Sequence, residues 1–260
     1  MSGEIEGGLL RNNIGLKKLS INVIETDNPI LIADEISILS WDWDWSTREV
    51  TIQNLFMNGY SIESQHARDL PNNSKNHKSA ISTIIQNIRA ENGRVSYKRG
   101  DSTQAIDLPL VHSTLWYIDG FVDAQIHSAV VILTSIASDT LAVTGLVGID
   151  SKGEIKVRNL YINSPNQTMK VDLAYTADHS SASLSGRNFN PTTLENFALP
   201  SWITDVRLNY NVDILQTKTN LHMSGGGTVL LNGFEIPFEL HDMESTPLGD
   251  SFDFSLGPEL

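Results

Sequence analysis

The stretch IQNLFMNG, Ile52 to Gly59, decides how this chain is read, because it returns as IQNIRAENG, Ile85 to Gly93, and more faintly as VRNLYINS, Val157 to Ser164. Apolar and polar residues alternate in each copy, which is the period of a β-strand with two unlike faces. In the first copy Val50 and Ile52 share one parity while Leu55 and Met57 have the other, so the phase slips by one residue at Gln53-Asn54. Such a slip is what a β-bulge produces. It recurs at Gln86-Asn87 and at Arg158-Asn159. Asn54 and Asn87 are 33 residues apart, and the third copy lies about twice as far beyond, which predicts a hairpin-scale repeat. A bulge repeated at one level bends each strand alike and curls a long meander into a trough.

The same alternation runs outward from these copies. Leu19, Ile21 and Val23 follow it, then Ile30 and Ile32, then Ile36 and Ile38, with later runs at Val130 to Leu133, Leu141 to Val147, Met169 to Tyr175, Val206 to Ile214 and Thr228 to Pro237. Turn residues punctuate the runs at Thr26 to Pro29, Asn58-Gly59, Asn92-Gly93, Lys98 to Ser102 and Asp150 to Gly153. One short helix is expected near Thr192 to Ala198, after Pro191, and a loop at His66 to Lys78, around Pro71. The expected fold is therefore all-β: a long antiparallel meander curled into an open groove, with repeated bulges and at most one short helix. Residues 1–260 are read as a single elongated domain, with a sub-boundary at the loop near 65–80.

Composition narrows the function classes. With 18 basic against 31 acidic residues, the net charge of -13 repels phosphate backbones, so nucleic acid is not an expected partner. No cysteine is present, which removes disulfides, thiolate nucleophiles and cysteine-ligated metals. No window reaches the roughly 18 apolar residues of a membrane helix. The seven histidines show no zinc-ligand spacing, there is no G-x-S-x-G elbow, and HMSGGGTV, His222 to Val229, reads as a turn or bulge. Neither an enzyme nor a cofactor is expected, and no metal site is assigned.

The run WDWDW places Trp41, Trp43 and Trp45 on one face of an extended strand, and Asp42 and Asp44 on the other. Three indoles in line cap a core, line an apolar groove or make a sugar-stacking platform; the aspartates face water or, as a weaker option, bind calcium. The parity of the strands puts Ile21, Ile36, Ile38, Ile52, Leu55, Met57 and Leu160 on one apolar side, with Trp41 and Trp43 joining them.

The opening GEIEGGLLRNNIGLKKLSINVIETDNPILIADEISILSWDWDWSTREVTIQNLFMNGYSI resembles the N-terminal region of the TamB / AsmA-like family. Its elements correspond to Gly8 with Ile14 to Leu19, to Leu31-Ile32-Ala33 through Trp41, and to Val50 through Gly59; IIQNIRAENGRVSYKRGDSTQAIDLPLVHSTL resembles a later strand pair. The resemblance covers about the first 120 residues. It implies a periplasmic β-groove that binds phospholipid acyl chains and takes part in lipid transport between inner and outer membranes, alongside membrane-anchored or outer-membrane assembly proteins. The chain departs from the family in being short and in lacking an N-terminal membrane helix, so the expectation is a truncated part or one groove module that pairs end to end with others. The alternative is a β-sandwich or jelly-roll binding module, presenting Trp41, Trp43 and Trp45 to a carbohydrate.

Overall fold

Fourteen strands take up most of the alternating runs: β1 (Ser2–Gly8), β2 (Asn13–Asn22), β3 (Pro29–Asp44), β4 (Glu49–Ser64), β5 (Ser82–Arg99), β6 (Ser102–Ile118), β7 (Phe121–Leu133), β8 (Thr140–Ile149), β9 (Ile155–Ser164), β10 (Gln167–Tyr175), β11 (His179–Phe189), β12 (Val206–Thr217), β13 (Leu221–Leu231) and β14 (Phe234–Ser245). This computed structural model describes residues 2–8, 13–22, 29–64, 81–99, 102–119, 121–133, 140–150, 154–165, 167–176, 178–190, 205–217 and 220–245. Each strand is hydrogen-bonded to the next, so sheet order equals chain order, and among the described residues β1 and β14 are the two outer edges. The fold is all-β, curled and open rather than closed into a barrel, with no helix among the described residues. The helix expected at Thr192 to Ala198 and the loop expected at His66 to Lys78 lie outside the described residues.

The echo has a different cause from a hairpin-scale repeat. Strands β4 and β5 run parallel, and from Glu49↔Ser82 to Ser64↔Tyr97 each residue faces the one 33 positions further on. The two copies therefore lie side by side in register, Ile52 against Ile85 and Leu55 against Ile88. Asn92 Nδ2 donates to Asn58 Oδ1 at 2.9 Å, one residue out of register, while the in-register pair stacks, the Asn87 amide donating from Nδ2 to Asn54 Oδ1 at 2.8 Å. This is the amide ladder that in-register parallel strands favour. Parallel neighbours need a crossover of a dozen or more residues, which residues 65–81 supply. All other pairings among the described residues are antiparallel.

Two of the three expected bulges are present. Gln86 and Asn87 together oppose Thr114, between the pairs Ile85↔Leu115 and Ile88↔Ser113. In β9 the step from Val157 to Leu160 faces the shorter step from Leu173 to Val171, and Asn159 takes the left-handed φ of 49°. At Gln53-Asn54 the register against β3 is regular, which corrects the expectation there. The reason is that β3 makes its own irregular step opposite, at Ser40 with φ 59°, so both strands slip together.

The dipeptides Asn58-Gly59 and Asn92-Gly93, expected as turns, lie inside β4 and β5. Gly59 (φ 60°) and Asn92 (φ 53°) hold the same place in the two parallel strands, and Lys18 (φ 52°) lies on the same level in β2. Each left-handed residue replaces a two-residue step by a three-residue one, from Leu19 to Leu16, Tyr60 to Met57 and Gly93 to Ala90. The apolar side chains thereby stay on one face. The hairpin turn of this composition is Asn232-Gly233 (φ 48° and 89°), between β13 and β14, inside the stretch that alternation alone reads as one run. HMSGGGTV is likewise strand rather than turn, and the extra residue at its level belongs to β14.

Among the described residues, substantial contacts between elements join only neighbours in the sheet. Even so, Leu19, Ala33, Ile36, Tyr60 and Ala90 are buried as one cluster, flanked by Leu16, Leu31, Leu55, Met57, Ile62, Leu108 and Val111. With no second sheet among the described residues, this burial comes from large side chains closing over alanine and glycine within the curl of one sheet. A sandwich, which would cover that face with another sheet, is not what the described residues form.

Candidate functional site

Directly paired residues in adjacent strands share a face, so the register can be followed across the whole sheet. One row runs Leu16, Ile36, Met57, Ala90, Val111, Ala129, Val143, Ile162, Met169, Gly186, Tyr210, Gly227 and Phe238, one residue from every strand from β2 to β14. A second runs Trp41, Ile52, Ile85, Leu115, Ala124, Val147, Val157, Leu173, Ala182, Ile214 and Met223, from β3 to β13. Neither row contains a charged residue. Between them Ile14, Ile38, Leu55, Ile88, Ser113 and Ile126 continue the face, and Val171 next to Leu160 resumes it beyond the β8 and β9 bulge. At about 4.8 Å per strand the first row spans roughly 60 Å.

The register thus gathers Ile36, Ile38, Trp41, Ile52, Leu55, Met57 and Leu160 on one face, and Trp43, paired with Val50, lies beside Trp41 on the same side. Ile21 pairs with Leu31 in β2, but its side chain is outside the described residues. Trp45 parts from the other two indoles: it opens the turn after β3 and is 82% exposed. Its ring still meets Trp43, with centroids 5.1 Å apart and planes tilted by 50°. The indole N–H groups of Trp41 and Trp43 are buried without an acceptor, which costs on the order of 1–3 kcal/mol each.

Two aromatic side chains on this face lie over glycines of the neighbouring strand. A Cβ at Gly93 would collide with the Tyr60 ring, and one at Gly186 with the Tyr210 ring. Burial pushes both phenols above the ordinary tyrosine value. Phe189 meets Tyr210 edge-on, with centroids 6.0 Å apart.

The aspartates of WDWDW act locally. Asp44 accepts from Ser46 N, Ser46 Oγ and Thr47 N, at 2.8, 2.6 and 3.4 Å, and so closes the turn. The Ser46 hydroxyl and amide hold its carboxyl below the usual range. Asp42 accepts from Trp43 N at 2.9 Å. No group of three or more metal-ligating side chains occurs among the described residues.

The opposite face is mainly polar, although Ile32, Leu39, Leu146 and Leu215 are exposed on it. Along β9 to β13 it carries two neighbouring clefts of about 650 and 660 Å³, left by the small side chains of β11 and β13. Lys156, Asp172, Ser183, Asp213, His222 and Ser224 line the first; Tyr161, Lys170, Arg187, Asn209 and Asn211 line the second. Asp172 binds Lys170 at 2.9 Å and accepts from Asn159 N at 2.6 Å, and both contacts, Lys170 foremost, lower its pKa. Nearer β6, His112 and His127 come together with Thr114 and Asn87 through a bulge in β7, a meeting that single-strand patterns cannot reveal.

No family model, curated protein or solved structure matches the chain.

Proposed function

We propose that this protein is a non-catalytic β-groove that binds phospholipid acyl chains and passes them along its apolar face, in lipid transport between inner and outer membranes. The observation supporting this reading is the pair of uncharged rows that cross the sheet from β2 to β14 and from β3 to β13, with no second layer over them among the described residues. A binding module with a closed core needs no such continuity. A carrier does, because every methylene taken from water contributes about 0.8 kcal/mol and an interruption by charge would stop the chain. A lipid ester carbonyl on this face would also supply an acceptor that the Trp41 and Trp43 indoles lack. The periplasmic location and the outer-membrane assembly partners rest on the resemblance to TamB / AsmA-like sequences.

Native mass spectrometry of the purified chain tests the proposal. Co-purifying phospholipid, at one or more per chain and regained from vesicles after delipidation, is the expected result. A chain that emerges lipid-free and takes up none from phospholipid vesicles overturns it.

A further inference from the structure

On the polar face, two histidines have a hydrogen-bonding pattern that fixes which ring nitrogen each leaves open. Thr114 Oγ1 donates its single proton to the Gln86 carbonyl at 2.8 Å, so it can only accept from His127 Nε2, also at 2.8 Å. His112 Nε2 lies 2.7 Å from Asn87 Oδ1, an oxygen without a proton, while the Asn87 amide nitrogen donates onward to Asn54. Both neutral rings therefore carry their proton on Nε2 and keep a lone pair on Nδ1. Metal-binding histidines show the same arrangement, with the far N–H held by an oxygen that fixes tautomer and ring orientation.

The rings are close enough to share an ion. Their centroids are 5.2 Å apart and their planes tilted by 49°. With metal–nitrogen bonds of about 2.0–2.1 Å and a tetrahedral angle, two imidazoles on one ion have centroids roughly 5 Å apart. The bulge in β7 creates the proximity: His112 pairs with Ser128 and Ser113 with Ile126, so His127 is the extra residue and falls beside His112. Both histidines are exposed, which leaves room for water to complete the coordination. Arg89, opposite His112 on β5, has its charge taken up by Glu91 at 2.6 Å.

We propose that His112 and His127 form an open two-histidine site for a divalent transition-metal ion, bound through Nδ1 of each ring and completed by water. Imidazole ligands suit Zn²⁺, Ni²⁺ and Cu²⁺ over Ca²⁺ or Mg²⁺. This inference is independent of the lipid reading, since it concerns the other face.

Titration of the full chain with Zn²⁺ and Cu²⁺ by calorimetry, with electron paramagnetic resonance of the Cu²⁺ form, is the test. One equivalent should bind with two nitrogen ligands. That binding should disappear in His112→Gln and in His127→Gln, and Ca²⁺ should give no heat. Thr114→Val, which removes the acceptor for His127 and the donor to the Gln86 carbonyl but no metal ligand, should weaken binding about 10–100-fold, with circular dichroism confirming that each variant keeps its β spectrum. Two results would overturn the site. One is metal binding unchanged in the double histidine variant, which would assign it to the other five histidines. The other is a long-range ¹H–¹⁵N spectrum of the metal-free chain, folded throughout, that places the proton of either ring on Nδ1.

Discussion

Replacing Gly93 by alanine separates packing from backbone preference, because the two act in opposite directions. Gly93 sits within β5, and no left-handed φ requires glycine there. On conformational grounds alone, alanine stabilises a strand by about 0.5–1 kcal/mol relative to glycine. The added methyl, however, would lie well inside contact distance of Cζ, Cε1 and Oη of Tyr60, where ordinary contact begins at 3.4 Å. The ring would have to retreat by about 1 Å or more, since repulsion at such separations far exceeds the shallow attraction of a carbon pair. Tyr60 is only 4% exposed and packs in the cluster with Leu19, Ala33, Ile36 and Ala90, so it has no free direction to take. Overpacking of this kind costs about 1–3 kcal/mol, and at ~2–4 °C per kcal/mol for a chain of this size Tm should fall by several degrees. Tyr60→Val should remove the collision, so that Gly93→Ala becomes neutral or stabilising in that background. Differential scanning calorimetry on the four members of the cycle measures the coupling. A Gly93→Ala protein that melts at or above the parent temperature would refute the packing of Tyr60 on Gly93.

Ile52→Asp puts a carboxylate between Trp41 and Ile85 on the uncharged row; bound phospholipid should fall tenfold or more while Tm changes little, because the face is open to water, whereas Thr51→Asp, one residue along, should leave lipid unchanged. Lipid assay and melting on the same sample decide between that outcome and a collapsed core. Asp172→Ala removes the acceptor for Asn159 N and the partner of Lys170; a cost of about 1 kcal/mol is expected for a contact this exposed. Because the folded pKa of Asp172 is depressed, its contribution is complete above the unfolded value, near 3.8, and is lost as pH falls through the lower folded one; urea titrations across pH 2–5 should show a flatter acid limb in the variant. Tyr60 and Tyr210 are shifted upward, so each favours its neutral form in the folded chain; their contribution is complete below the ordinary value of 10.0 and is lost as pH rises through the folded one. Tyr60→Phe and Tyr210→Phe should each reduce the loss of stability on the alkaline side, as followed by circular dichroism.

Strand identity was legible in this sequence because a two-residue period is a local property: Ile36 and Ile38, or Val50 and Ile52, announce their face without knowledge of a partner. Partner choice is not local. The spacing of Asn54 and Asn87 was plain, yet only the pairing distinguishes a tandem hairpin unit from two parallel strands in register. The NG dipeptides teach the same lesson. Asn232-Gly233 makes a turn, whereas Gly59 and Asn92 use the same left-handed backbone to step within a strand. Trp45 looked equivalent to Trp41 and Trp43, but β3 ends at Asp44, where the carboxylate caps the turn instead of letting the strand run on. The His112 and His127 pair depends on one extra residue in β7 and on the alignment of two long strands, and neither is written in the spacing of the histidines.

The parallel pair also divides the molecule in time. Most antiparallel joints can close like a zipper from residues close in sequence, and β11–β12 from Phe189↔Leu208, but every pair of the β4–β5 joint must bring together residues 33 positions apart, and separations of that kind slow folding. Two zippers, β1 to β4 and β5 to β14, should therefore form first and fuse last at this seam. Cleaving the chain at one bond between β4 and β5 would turn the last step from a first-order event into an encounter between two fragments. The refolding rate of the nicked protein would then rise with concentration, while that of the intact chain would not.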